Sequence, residues 1–228
     1  IDSSTLSLGS VASLFEKASH SLDPNDAAFL FATGKSELEV RDVLALYLHN
    51  QLEDGQHVTR EWKRHDLAVL DKNAHPLLIL EGKSWAHSNP LSLSKLNIGD
   101  KSIRAGLEGD LRKIMETQEI HPDVPSFITT ILFSIELPTQ RHLDKFVKYA
   151  PLHRSGIKAN RDFDKLCSVG KGCLQDLLHN YGEFIWQPLW DGEYMDMRVK
   201  SEINILLPDY EKVRKIVKPI EKKEKAKK

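Results

Sequence analysis

The sequence predicts an α/β fold with a central mixed β-sheet flanked by helices, and three observations carry that prediction. Some segments repeat apolar residues every three or four positions, others are densely apolar or alternate with period two, and the two kinds follow one another as helix, hairpin, helix, strand, helix. At 228 residues and 40% hydrophobic, the chain can bury a substantial core and fits one domain with additions better than two equal domains.

Taken in order, Ser10 is placed to cap a first helix, "SVASLFEKASHSL", with Val11, Leu14, Phe15, Ala18 and Leu22 on one stripe and "DPND" as its stop. "SELEVRDVLALYLHNQL" predicts a second helix with Val40, Val43, Leu44, Tyr47 and Leu48 facing inward, and Ser36 with Glu39 has the spacing of a capping box. "HVTREWKR" reads as an outer strand. "DLAVLDKNAHPLLILEGKSW" reads as a hairpin of central strands around the turn formers "DKNAHP". After a loop, "KSIRAGLEGDLRKIMETQ" predicts a third helix buried through Ile103, Leu107, Leu111, Ile114 and Met115. "SFITTILFSIEL" resumes the sheet and "TQRHLDKFVKYA" reads as helical.

The last third is less regular. "RDFDKLCSVGKGCLQDLLHNY" is mixed in pattern, whereas "EFIWQPLW", "DG" and "EYMDMRVKSEINILL" predict a second hairpin turning at "DG". Met195, Met197, Val199, Ile203, Ile205 and Leu207 alternate there with mostly polar neighbours, and the lysine-rich segment 213–228 reads as a frayed tail.

Thirty-two Lys and Arg against thirty-three Asp and Glu leave a net charge of −1, so any surface for a polyanion has to be local. The spacing of Cys167 and Cys173 matches neither a zinc ribbon nor a redox pair, which predicts two free thiols in a reducing, cytoplasmic compartment. The longest apolar runs fall short of the ~20 residues that span a bilayer, so no membrane partner is expected. "ATGKSE" lacks the first glycine of a phosphate-binding loop, since Phe29 occupies that position.

The chemistry concentrates where "LLIL" runs into Glu81, Gly82 and Lys83. Strand alternation puts Glu81 and Lys83 on one face, about 7 Å apart. A hairpin folded at "DKNAHP" brings Asp66 alongside Glu81. Two carboxylates about 4 Å apart repel by roughly 4 kcal/mol at an effective dielectric near 20, so they call for a proton, a lysine or a divalent cation. Magnesium suits such oxygen ligands, and phosphodiester hydrolysis uses it with an ammonium close by.

An acid, a hairpin-sized gap, then acid, any residue and lysine at the end of an apolar strand resembles the PD-(D/E)xK nuclease superfamily; here the motif reads "HD…EGK", with His65 in place of the proline. The resemblance covers about residues 36–150 and implies a restriction-endonuclease-like core, with 1–35 an N-terminal helical extension and 151–212 a C-terminal extension bearing the second hairpin. It also implies that Asp66 and Glu81 are metal-binding carboxylates, Lys83 the catalytic lysine and Mg²⁺ or Mn²⁺ the cofactor. The superfamily's helical glutamate falls on Glu37, which borders the apolar stripe, ahead of Glu39, which turns from it. The implied activity is hydrolysis of phosphodiester bonds, in DNA ahead of RNA, as in restriction, repair or phage defence. Lys101, Arg104, Arg112 and Lys113 on the helix after the motif, together with His65 and His87, are candidates for substrate contact. Tyr181, Trp186, Trp190 and Tyr194 could stack on bases or pack internally, and the second hairpin with the first helix is the candidate interface of a homodimer.

Overall fold

A computed structural model describes residues 6–87, 99–138, 141–154 and 162–217. Among the elements within them are α1 (Leu8–Ser19), α2 (Pro24–Thr33), α3 (Ser36–His49), β1 (His57–Trp62), β2 (His65–Leu70), β3 (Pro76–Ala86), α4 (Gly99–Ile120), β4 (Ser126–Glu136), α5 (Phe163–Leu178), β5 (Gly182–Tyr194), β6 (Met197–Pro208) and α6 (Tyr210–Ile216). The strands form one mixed sheet in the order β1-β2-β3-β4-β6-β5. β1 to β3 are an antiparallel meander, β3 and β4 run parallel, and β6 pairs antiparallel with both β4 and β5. A parallel neighbour requires a long crossover, and α4 supplies it.

The sheet is apolar on both faces and separates two cores. Val11, Phe15, Phe31, Val40, Leu44 and Leu48 of α1–α3 pack on one face over Leu67, Leu80, Ile131 and Ile203. On the other, Ile103, Leu107, Leu111 and Ile114 of α4 meet Leu174 and Leu178 of α5 over Ile128, Leu132 and Leu206. β4 is buried at every position but its last, as a central strand covered on both sides must be. The β5–β6 hairpin is therefore part of the same sheet as the meander.

Several elements differ from the sequence expectation. α1 starts earlier than expected, with Ser7 as its cap and Ser10 reciprocating. "DPND" starts α2 instead of merely ending α1: Asp23 accepts from the Asn25 amide at 2.8 Å, and Pro24 stands in the first turn, where a missing N–H costs nothing. α3 begins without a side-chain cap, because the Ser36 hydroxyl is hydrogen-bonded to that of Ser84 on β3. The mixed segment is one helix, α5, whose stripe of Phe163, Leu166, Cys167, Leu174, Leu177 and Leu178 passes through Gly170. A Cβ on Gly170 would lie 2.1 Å from the His87 carbonyl oxygen, so the glycine that blurs the helical pattern is what lets α5 lie against the chain there. The second hairpin turns at Met195 and Asp196, both left-handed (φ 50° and 60°), not at "DG", since Gly192 stays paired with Val199. Residues 141–146 form a 3₁₀ turn. The expected loop after β3 and most of the lysine-rich tail lie outside the described residues.

The proposed dimer elements are used internally. α1 and α2 pack against β5 and β6, Tyr181 and Trp190 are buried, and Trp190 Nε1 donates to the Ser19 carbonyl at 2.9 Å. Trp186 and Tyr194 are half-buried, the latter edge-on to Phe29. Both cysteines are free. Among the described residues no helix is long and apolar enough to cross a membrane.

His153 gives the fold a pH dependence. It is buried against Phe133, neither ring nitrogen has a hydrogen-bond partner, and burial together with the neighbouring His87 pushes its pKa down to about 4. Between the ordinary value near 6.5 and about 4 the unfolded chain binds one more proton than the folded one. Stability from this group is therefore full above pH 6.5 and is lost as the pH falls toward 4, at up to about 1.4 kcal/mol per pH unit. Urea unfolding across that window should show His153→Phe with a shallower slope than the wild type; equal slopes would assign the dependence elsewhere.

Candidate active site

The site lies where the sheet forks. β2 and β3 are paired as far as Leu67 with Leu80, and β3 then continues to Ala86 with β4 as its partner. The Ile79 and His87 amides bond toward β4, so strand alternation turns the Gly82 amide toward the gap left by β2. Asp66 fills that gap: its Oδ2 accepts from Gly82 N–H at 2.6 Å. The edge amide of a buried strand has to find an acceptor, and here the acceptor is the first motif acid.

Glu37, at the start of α3, comes to the same side of β3. A Cβ on Gly82 would stand 3.5 Å from Asp66 Oδ2 and 3.5 Å from Glu37 Cγ. Between these groups is a cavity of about 20 Å³, room for one water molecule. The Gly82 side of the strand is thus lined with acids. Burial pushes the Glu37 carboxyl up, and the Lys83 charge opposes that shift. Glu39 lies near Asp42 and Lys148 instead.

Glu81 and Lys83 point the other way, toward α4, as their spacing requires. Glu81 is 0% exposed. Its Oε1 lies 2.5 Å from His65 Nδ1, and His65 Nε2 lies 2.7 Å from Thr117 Oγ1. A neutral imidazole satisfies both by donating to the carboxylate and accepting from the hydroxyl. Oε2 receives the Lys113 ammonium at 3.0 Å, and the same ammonium is 3.0 Å from Asp110 Oδ1. Lys83 Nζ lies 3.1 Å from Asp110 Oδ2, near enough to pair charges yet off the line of a hydrogen bond. That buried oxygen keeps lone-pair capacity for a further partner. Burial pushes the Glu81 carboxyl up, partly countered by His65 and Lys113. Burial disfavours the charged forms of Lys83 and Lys113, but their carboxylate partners outweigh it and both pKa values rise.

Asp66 lies with Glu37 beside Gly82 and Glu81 is paired through Lys113 with Asp110, while Asp66 and Glu81 line one small cavity and the Asp66 charge helps to raise the Glu81 carboxyl. The β2–β3 register would set Asp66 opposite Glu81, but the ladder ends at Leu67 with Leu80, and the Asp66 carboxylate turns to the Gly82 amide instead. Among the described residues no three His, Cys, Asp or Glu side chains gather as metal ligands. The donor chemistry nonetheless fits a hard cation at Glu81 and Asp110, which already share one in the form of the Lys113 ammonium. These two carboxylates would hold the ion, with waters and phosphate oxygens completing its shell.

The remaining candidates separate. Lys113 stands inside the acid cluster, Arg104 is exposed on α4, and the Lys101 side chain lies outside the described residues. His87 corrects the expectation of substrate contact: it is 0% exposed and hydrogen-bonds Ser134 and Glu202, so no phosphate reaches it. His65 is likewise buried and acts on Glu81. Asp110 of α4, which the sequence motif does not include, is 2% exposed and central. Its position among Leu107, Leu111 and Ile114 was the available signal, since a charged residue on an apolar helical stripe has to be paired.

Comparison of the chain with protein-family models, with curated proteins and with solved structures finds no match.

Proposed function

We propose that this chain is a metal-dependent nuclease of the PD-(D/E)xK kind, hydrolysing phosphodiester bonds in nucleic acid and in DNA ahead of RNA. One observation carries the reading: buried carboxylates from β3 and α4, Glu81 and Asp110, meet a single cationic centre at 3.0 Å each, with Lys83 3.1 Å from the far oxygen of Asp110. The order of α3, the meander, α4 and β4 supports a restriction-endonuclease-like core over residues 36–150. A hard divalent ion, Mg²⁺ or Mn²⁺, supplies a more acidic water and screens charge on the phosphate. The chain's own residues do the positioning. His65 holds Glu81, Asp110 holds Lys83, and the Lys83 and Lys113 ammonium groups favour an approaching phosphate and the charge that grows on it. Asp66 and Glu37 border the same fork.

A second reading has its own support: two lysines already balance Glu81 and Asp110 and a histidine hydrogen-bonds Glu81, as a non-catalytic nucleic-acid-binding or assembly module on this scaffold would need. Incubation of the protein with linear, circular and single-stranded DNA and with RNA, in Mg²⁺, Mn²⁺ or EDTA, separates the two. Ion-dependent cleavage is expected; chelator-insensitive binding without cleavage of any substrate in Mn²⁺ would replace the nuclease reading with the second.

A further inference from the structure

A cleft of about 370 Å³ opens next to the fork and shares only Glu37 with the acids just described. Its floor is shaped by small side chains, Ser84 and Ala86 of β3, and its walls by Leu38 and Leu152. Glu37 lies at one end, where the cleft meets the acids, and Tyr149 lines its mouth. The volume is at the small end of the roughly 300–1,000 Å³ typical of small-molecule pockets, enough for one nucleotide and too little for a duplex.

Tyr149 distinguishes this cleft from a packing defect. It is 51% exposed although aromatic, and its backbone is held at φ 63°, in the left-handed region that a bulky residue adopts at a cost. A tyrosine kept exposed in that conformation at the mouth of a pocket offers its ring to a ligand. Lys148 Nζ lies over one face of the ring, 5.5 Å from its centre, and Lys35 lines the cleft, so cationic groups flank the aromatic side chain. An aromatic face with ammonium groups around it is what an unpaired nucleotide needs, the ring for the base and the charges for the phosphates.

The geometry points to this cleft as a binding subsite for one unpaired nucleotide, its base against Tyr149 and its backbone running past Glu37 toward Lys83. The choice of ligand rests on the nuclease reading, and it deepens that reading by naming the substrate class: single-stranded segments, frayed ends or flaps ahead of intact duplex.

The test measures binding in EDTA, where no cleavage intervenes, by fluorescence anisotropy of a labelled single-stranded oligonucleotide and of the corresponding blunt duplex. The wild type should prefer the single strand. Tyr149→Ala should weaken single-strand binding by about fivefold to a hundredfold and leave duplex binding unchanged, while Tyr149→Phe, which keeps the ring, should bind as the wild type does. Tyr149 is exposed, so thermal unfolding of both variants should match the wild type. Unchanged single-strand affinity in Tyr149→Ala, or an equal loss for duplex and single strand, overturns the subsite even if the protein cuts DNA in Mn²⁺. Selective single-strand binding that depends on the Tyr149 ring upholds the subsite even if no nucleic acid is cut, in which case it is the nuclease reading that falls.

Discussion

Lys113→Ala destabilises the protein by about 3 kcal/mol in metal-free buffer, and divalent cations return much of that loss. The expectation follows from burial. Glu81 is 0% and Asp110 2% exposed, and the Lys113 ammonium is the group both share. Removing one partner of a buried ion pair costs about 3–5 kcal/mol when the remaining charge is left unpaired, and here Glu81 keeps His65 and Asp110 keeps Lys83, which lowers the cost. The Lys113 side chain is 32% exposed, which places the effect at the low end. For a chain of this length that is a fall of roughly 6–12 °C in Tm. If the place of the ammonium is also the place of the metal, Mn²⁺ binds the variant more tightly than the wild type, and mass action raises the variant's Tm more. Thermal unfolding of both proteins in EDTA and across a Mn²⁺ titration reads this directly. A variant as stable as the wild type, or equal increments from Mn²⁺ in both, would show that Glu81 and Asp110 do not form a cation site.

Lys83→Ala has the largest expected effect on turnover, a loss of about 10²–10³-fold in cleavage, comparable to removing one preorganised donor from the charge developing in a transition state. Lys83 suits that role because Asp110 holds its ammonium at 3.1 Å while the side chain remains 28% exposed, so it is positioned and still reachable. The fold should survive, since Lys113 continues to balance Glu81 and Asp110. Single-turnover cleavage at saturating Mn²⁺, with circular dichroism and thermal unfolding as controls, checks both halves. Cleavage at the wild-type rate by a folded variant would remove Lys83 from the chemistry.

Much of this was legible from pattern. The stripe of Val40, Leu44 and Leu48 marks α3, and the apolar runs ending at Leu70 and Leu80 mark β2 and β3. Glu81 and Lys83 share a face because a strand's side chains alternate. The errors came from competing local signals. "DG" is a strong turn dipeptide, yet Gly192 stays in a ladder that runs on to Tyr194 and Met197. Gly170 and Gly172 diluted the helical pattern of α5, although Gly170 is there to admit the chain at His87.

By itself, then, the sequence determined most of the helices and strands and that Glu81 and Lys83 share one face of a buried strand, because these follow from side-chain periodicity within a few residues. Only the tertiary structure decided which groups meet. Whether Asp66 reaches Glu81 or the Gly82 amide depends on where β2 leaves β3. Whether Asp110 faces water or Lys83 depends on how the crossover helix seats on the sheet. Contacts of that kind are set by the packing of whole elements, and no local period in the chain records them.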